Sequence, residues 1–532
     1  MADRISFWAW SLESEEPTDA QRAALARQLS EQYGVAITPK PVPNLADAQL
    51  RPPRITPPDS IAACCSTDTY ERARFAYGAH FTDRTRAFNL DFPNPPDVVA
   101  HPGTDAELEA VLDWCHSNGH VAVPYGGGSS VVWGANPPDG ADGIVTISMD
   151  RFDKVLEVDA TSRAARIQAG VFGPHLEAQL KPSGHTLRHF PQSFSFSTLG
   201  GWIATRSGGH YATNHTHIDD FVESVRMCTP AGWWESRRLP GSGAGPSPDR
   251  LVIGSEGILG IITEAWMRIQ RRPTFRATAG VVFDSWEAGY EAVRQIVQAK
   301  LWPANLRILD PAEAGRAAGL DGTQALVIIG FESAELSQRH NAVQAVDIAR
   351  GCGGHIDDED ILVDDGSGEP TGRGGAVGKW RESFIGVDPG TATSMGLLAD
   401  TFETAITWDR WPEFDHTVRT RMESVLREVC GAGTLSCRFT HVYPDGPAPY
   451  YTWSGMGRQG SEISMWQEVK DAANEVVVAA GGTSTHHHAV GRMHRPNAYD
   501  RQRPELFAAS LRAVKRTLDP NGVLNPGVLI DP

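Results

Sequence analysis

Along the first half of the chain, apolar positions spell out short strands separated by a few helices. Thr104 with Glu107 three residues on sets up a capping box, and Leu108, Val111, Leu112 and Cys115 then share one helical face until Asn118-Gly119 stop it. Val121-Ala122-Val123 predicts a strand, and Ile144 to Met149 another. Ala165, Ile167, Ala169 and Val171 alternate with Arg166, Gln168 and Gly170, the period of a half-buried strand. Leu176 and Leu180 predict a short helix closed by Pro182-Ser183-Gly184. Val222 to Thr229 and Ile261 to Ile269 complete a strand-rich unit that ends at Arg271-Arg272-Pro273.

Beyond Phe275 strands and helices alternate. Strand Ala279 to Phe283 is followed by helix Trp286 to Ala299, strands Leu306 to Leu309 and Leu326 to Phe331, and helix Ala334 to Ala349. The acidic, glycine-rich stretch Asp357 to Gly375 reads as a mobile loop. Helix Pro412 to Glu428, strands Leu435 to Tyr443 and Tyr450 to Trp453, and helices Ile463 to Ala480 and Pro504 to Leu518 follow. The fold class is α+β, the second half forming its own domain with an open sheet. In the first hundred residues Phe7-Trp8-Ala9-Trp10 reads as an aromatic plug, and Pro39 to Pro58 as an extended arm.

Composition narrows the function. A net charge of -17 without a Lys/Arg run argues against nucleic acid as a partner. Seven scattered cysteines lack the spacing of a zinc site or disulfide framework and read as reduced core thiols. Apolar runs stay short of a membrane span, and neither a signal-peptide pattern at Met1-Ala2-Asp3-Arg4 nor a peroxisomal address at Ile530-Asp531-Pro532 is present, so a soluble cytoplasmic protein is expected.

Three glycine segments carry the candidate chemistry. Pro124-Tyr125-Gly126-Gly127-Gly128-Ser129-Ser130 follows a strand, and its bare backbone and hydroxyls suit a phosphate or pyrophosphate, although a tight turn explains the glycines as well. No Lys follows, which excludes a Walker loop, and Val131 stands where a dinucleotide fingerprint needs glycine. At Ser197-Thr198-Leu199-Gly200-Gly201 a serine or threonine caps a helix whose glycines let a flat or anionic group come close. The third segment, Gly254-Ser255-Glu256-Gly257-Ile258-Leu259-Gly260, leads into a strand. Farther on, His486-His487-His488 offers proton exchange near neutral pH. In extended chain His486 and His488 would share a face and His487 point away, so a metal would need a ligand from elsewhere, and none is expected.

These segments, in this order and with the ending Leu518-Asp519-Pro520-Asn521-Gly522-Val523-Leu524-Asn525-Pro526-Gly527, resemble flavoproteins of the vanillyl-alcohol oxidase family. Within it the histidine triplet, Pro303-Ala304-Asn305-Leu306-Arg307 and Phe402-Glu403-Thr404 resemble the alkyldihydroxyacetonephosphate synthase group. The resemblance implies a two-part FAD-binding domain, residues 101–273 and a returning C-terminal helix at 501–532, with an N-terminal arm at 1–100 and an α+β cap at 274–500. It implies FAD bound through Pro124, Gly126, Gly127, Gly128, Ser129, Ser130, Ser197, Thr198, Gly200, Gly201, Glu256, Gly257 and Ile262, with Arg307 behind the flavin; since the first glycine loop contains no His or Cys, a non-covalent FAD is expected, with nearby His215 the one alternative point of attachment. In that group an acylated dihydroxyacetone phosphate loses a proton beside its ketone and is held on flavin N5 while carboxylate leaves and a fatty alcohol enters. Tyr450, His486, His487 and His488 match its proton-relay residues, and Arg381 is preferred over Lys379 as the anion clamp. A homodimer with at most peripheral membrane contact is expected on the same ground. The chain departs from the group at His215-Thr216-His217 and at Thr401, which leaves a second reading open, an FAD-linked oxidase or dehydrogenase of an alcohol or 2-hydroxy acid.

Overall fold

A computed structural model of the chain describes residues 3–211, 217–368, 370–385 and 389–531. The expectations attached to His215 and Thr216 lie outside the described residues.

The first glycine loop hangs from the edge of a small four-stranded sheet. Val98–Ala100, Ile144–Ser148 and Val121–Tyr125 lie parallel, with Cys65–Ser66 antiparallel on the outside. Helix Asp105–Asn118 buries Leu108, Val111, Leu112 and Cys115 against this sheet, as its periodicity predicts. Its capping box is only half formed. Thr104 Oγ1 accepts from Glu107 N at 3.2 Å, but the Glu107 carboxylate accepts from Gly103 N at 2.7 Å, one residue too early to close the box. A distant segment completes the sheet edge, because Leu524 bridges Ala122 in parallel and Asn525 N donates to Ala122 O.

A second, antiparallel sheet runs Val155–Asp159, Ala164–Gln168, Ile261–Arg268, Val222–Thr229, Gly232–Glu235. Its apolar side shares one core with Leu176, Leu199, Trp202 and the returning residues Val528, Leu529 and Ile530.

The third sheet has seven strands, all antiparallel, in the order Leu362–Asp365, Phe275–Phe283, Ala325–Ser333, Asn305–Leu309, Gly433–Val442, Pro447–Met456, Leu397–Glu403. Helices Trp286–Gln298, Arg339–Gly351, Trp411–Cys430 and Glu462–Ala479 cover one face and form the largest core with it. The opposite face turns toward the glycine segments. Three expectations need correction here. The stretch expected as a mobile loop contains edge strand Leu362–Asp365, which pairs with Phe275 to Thr278, and leads into helix Gly375–Ile385. Strand Leu397–Glu403 was not expected at all. The helix expected from Ala334 begins at Arg339, because Ser333 Oγ accepts from the N–H groups of Glu335 and Leu336 and holds them in a turn.

The glycines are needed for a different reason than ligand approach alone. A Cβ on Gly127 would lie 1.9 Å from the Phe196 carbonyl oxygen, and one on Gly126 would lie 2.3 Å from Thr198 Oγ1. The first two glycine segments therefore touch each other, and their missing side chains are what allows it.

Candidate active site

One cavity of about 500 Å³ lies between the three glycine segments and the open face of the seven-stranded sheet. Pro124, Gly126, Gly127, Gly128, Ser129, Ser130, Ser197, Thr198, Gly200, Gly201, Glu256, Gly257 and Ile262 all line it. On this side the backbone supplies the chemistry. The peptide N–H groups of Gly127, Gly128, Ser129 and Ser130 find no acceptor among the described residues, and neither does the buried Thr198 hydroxyl. Half-buried donors without partners are costly unless an anion or water satisfies them, so the loop fits a pyrophosphate. Thr198 occupies the N-cap of helix Leu199–Thr205 as expected, yet its side chain makes no capping hydrogen bond and is left to the cavity. Gly201 differs from the other glycines. A Cβ there would meet only Thr198 Oγ1, at 3.5 Å, so any larger side chain would project into the space a cofactor needs.

Glu256 faces the cavity but its carboxylate is committed elsewhere. It accepts from the N–H groups of Val490 and Gly491 at 2.9 and 2.7 Å, fastening the third glycine segment to the chain just beyond the histidines. Burial raises its carboxyl to about 7 against the opposing pull of those N–H groups. Asn525 Nδ2 donates to Glu256 O and Gly134 O and closes this end.

The sheet side is built from side chains. Glu403, Tyr450, Arg438 and Leu309 pair directly across four adjacent strands, so they form one row on the cavity face. The Arg438 guanidinium stands 4.2 Å over the Tyr450 ring and donates to Glu313 at 2.9 Å. Arg307, two residues before Leu309 and hence on the same face, is buried against Trp380 and donates to Asn305 Oδ1 at 3.0 Å. Burial, with Arg438 near, lowers its guanidinium to about 9. A register shift between Phe439 and His441 inserts Thr440 as a bulge, which brings both Thr440 and His441 to the cavity.

The histidine run is bent rather than extended, which corrects the alternation expected from sequence. Its three peptide N–H groups converge on the buried Glu403 carboxylate at 2.7 to 3.2 Å, joined by Thr485 Oγ1 at 2.5 Å. Burial alone would raise this carboxyl. His487 first, then His488 and His486, and the converging donors hold it well below the usual carboxylate range. Glu403 is therefore an ionised anchor around which three imidazoles fan out. His487 and His488 line the cavity, with the Tyr450 ring 5.9 and 5.4 Å from theirs. Burial raises the Tyr450 hydroxyl and lowers His488 to about 3, so both stay neutral at ordinary pH.

His486 stands behind this front, off the cavity wall. Its Nδ1 is 3.1 Å from His487 Nδ1 and its Nε2 is 2.9 Å from the Tyr443 hydroxyl, which in turn reaches His217 Nε2 at 3.1 Å. The sequence reading assigned no site role to Glu403, His441, Tyr443 or His217. A lone carboxylate in an apolar strand marks Glu403 in retrospect, whereas His441 depends on a bulge that no local pattern announces. His441 also supplies a third imidazole beside His486 and His487, within 4.8 Å, which the sequence alone lacked. Arg381 is placed apart from Tyr450 and the histidines. Helix Gly375–Ile385 carries it to an adjoining cavity of about 760 Å³, beside Arg188, His210 and Tyr211, and the two cavities share Trp10, Pro191 and Gln192 as a common wall.

Two family models match the chain: an FAD binding domain over residues 96–236 and the C-terminal domain of FAD linked oxidases over residues 272–529. Together the two matches identify an FAD binding domain followed by an FAD linked oxidase C-terminal domain over most of the chain. Its relatives include alkyldihydroxyacetonephosphate synthase of Dictyostelium discoideum, 29% identical over 87% of this chain and 78% of the relative. The enzyme of that name from Trypanosoma brucei brucei is 26% identical over 92% and 84%. A crystal structure of alkyldihydroxyacetonephosphate synthase superposes with a TM-score of 0.79 over 99% of both chains at 23% identity, the same two-part α+β fold.

Proposed function

We propose that the chain is an FAD-dependent alkylglycerone-phosphate synthase-type transferase that exchanges the acyl group of an acyl dihydroxyacetone phosphate for a fatty alcohol. The observation that carries this reading is the facing of two halves across one cavity: unpartnered peptide donors on one wall, and His487, His488, Tyr450, Arg438 and Arg307 on the other. Bound FAD supplies a reversible electron sink. The loop from Gly126 to Ser130 would hold its pyrophosphate, and the sheet face its reacting ring. The rings of His487 and Tyr450 stand 5.9 Å apart on the wall that would face the substrate, where either can take the proton beside its ketone. Arg438 and Arg307 place positive charge behind developing negative charge, kept effective by burial. Arg381 suits the substrate phosphate in the adjoining cavity, where its neighbour Arg188 is paired with Glu332. No residue of the first glycine loop is a His or Cys, so FAD is held without a covalent link, and acid precipitation releases the yellow colour.

Anaerobic mixing of the yellow protein with an acyl dihydroxyacetone phosphate tests the reading. Oxygen-insensitive bleaching with release of carboxylate is expected. Hydrogen peroxide formed one-for-one with product would replace the transferase with an oxidase.

A further inference from the structure

The hydrogen bonds behind His487 have a direction that one carbonyl acceptor and the neutrality of buried imidazoles determine. His217 Nδ1 lies 2.9 Å from the Arg206 carbonyl oxygen, which can only accept, so His217 carries its hydrogen on Nδ1. Burial lowers the proton affinity of His217, leaving a lone pair on Nε2. The Tyr443 hydroxyl must donate to that lone pair, and its oxygen must then accept from His486 Nε2. His486, likewise kept neutral by burial, has its lone pair on Nδ1 and accepts from His487 Nδ1. The same His487 nitrogen faces Glu403 Oε2 at 3.3 Å, which holds its hydrogen in place. What remains is His487 Nε2, an acceptor on a residue that lines the cavity.

We propose that His486, Tyr443 and His217 form a directional relay that carries a proton received at His487 from the cavity to the half-exposed end of the chain at His217. A proton arriving on His487 Nε2 is matched by transfer of the Nδ1 hydrogen to His486, of the His486 Nε2 hydrogen to Tyr443, and of the Tyr443 hydrogen to His217 Nε2. No bond other than N–H and O–H changes, and the positive charge moves from His487 to His217. After one passage every link points back toward the cavity, so the same atoms can return a proton to the substrate once the exchange is complete. Tyr443 is the link that makes the path continuous: it also borders a separate open hollow of about 440 Å³ with Ala405, Gly446 and Gln502. His486 and Tyr443 act through His487 and are relay residues rather than groups that touch substrate.

The role assigned to His487 rests on the transferase reading, so two readouts are needed. In the first, acyl dihydroxyacetone phosphate bleaches the holoenzyme in mixtures of H2O and D2O. A rate that falls along a curve with deuterium content is expected in the native protein, because several relay hydrogens move with each proton taken up, and a straight, shallower dependence in Tyr443→Phe at unchanged FAD content. His217→Gln, at the half-exposed end, should show the same straightening and keeps the test open if Tyr443→Phe does not fold. A native curve in a folded variant would overturn the relay. The second readout needs no substrate. Nitrogen NMR of histidine-labelled protein should find the hydrogens on His217 Nδ1, His486 Nε2 and His487 Nδ1. A His217 hydrogen on Nε2 would overturn the direction even if the substrate proved to be something else.

Discussion

The two walls of the cavity solve the same problem by opposite means. The glycine wall presents peptide N–H groups, and its side chains are missing so that segments far apart in sequence can touch. The sheet wall presents imidazole, phenol and guanidinium groups, and the strands beneath it pair in an antiparallel ladder. A backbone-made site depends on where the chain goes, whereas a side-chain-made site depends on strand register, since a one-residue slip in any of their three strands would turn Glu403, Tyr450 or Arg438 to the opposite face. The difference teaches that cofactor binding and proton chemistry can be broken separately.

The largest separation is expected from Gly201→Phe. Its Cβ has room in the protein, and helix propensity favours the change, so the chain should fold while the ring fills the cofactor space. Near-complete loss of flavin per folded chain is the expected result, and full FAD content would show that the glycine wall does not hold the cofactor. Gly127→Val is a poorer probe, because the clash with Phe196 would disrupt the wall itself.

On the sheet wall, His487→Ala and Tyr450→Phe should keep FAD and slow substrate-dependent bleaching by ~10²–10⁴-fold, the usual range for general acid–base groups. Native bleaching rates in both variants would remove the proton role from this wall. Glu403→Ala leaves three peptide N–H groups without their acceptor and should lower unfolding stability by ~3–5 kcal/mol in urea titration, besides disordering the imidazoles. An unchanged midpoint would mean that the triplet holds its shape without the anchor.

The smallest effect concerns the joint between the walls. The Glu256 carboxyl binds its proton more tightly folded than unfolded, so its contribution is present below about pH 4.5 and is lost as pH rises toward about 7. Native stability should fall across that window by ~1–3 kcal/mol, and Glu256→Gln should flatten the slope. An identical slope in the variant would assign it to other groups.

Legibility from sequence follows the same division. Every residue that the resemblance assigns to the glycine wall, from Pro124 to Ile262, lines the cavity. The three segments themselves stand out in the sequence because glycine announces close approach, even though the reason at Gly127 is contact with Phe196 rather than with a ligand. On the sheet wall, Tyr450, Arg307 and two of the three histidines also reach the cavity, but their partners were invisible. Glu403 and Arg438 become neighbours of Tyr450 only through strand pairing, and His441 only through the bulge at Thr440. Edge strand Leu362–Asp365 escaped notice because its acidic residues read as solvent-exposed loop, and pairing with Phe275–Phe283 overrides that preference.

The closure made by Asn525 sets an order of events in time. This residue ties together Ala122, Gly134 and Glu256, and the contact with Gly134 spans 391 residues. At a ribosomal pace of about 5 to 20 residues per second, the strand and glycine loop emerge roughly 20 to 80 s before the asparagine that pins them. During that interval the first sheet lacks its outer neighbour, and the first glycine loop has no latch. On the proposed role of that loop, cofactor loading is expected late in biogenesis, and a nascent chain stalled before Asn525 should hold flavin far less tightly than the full-length protein.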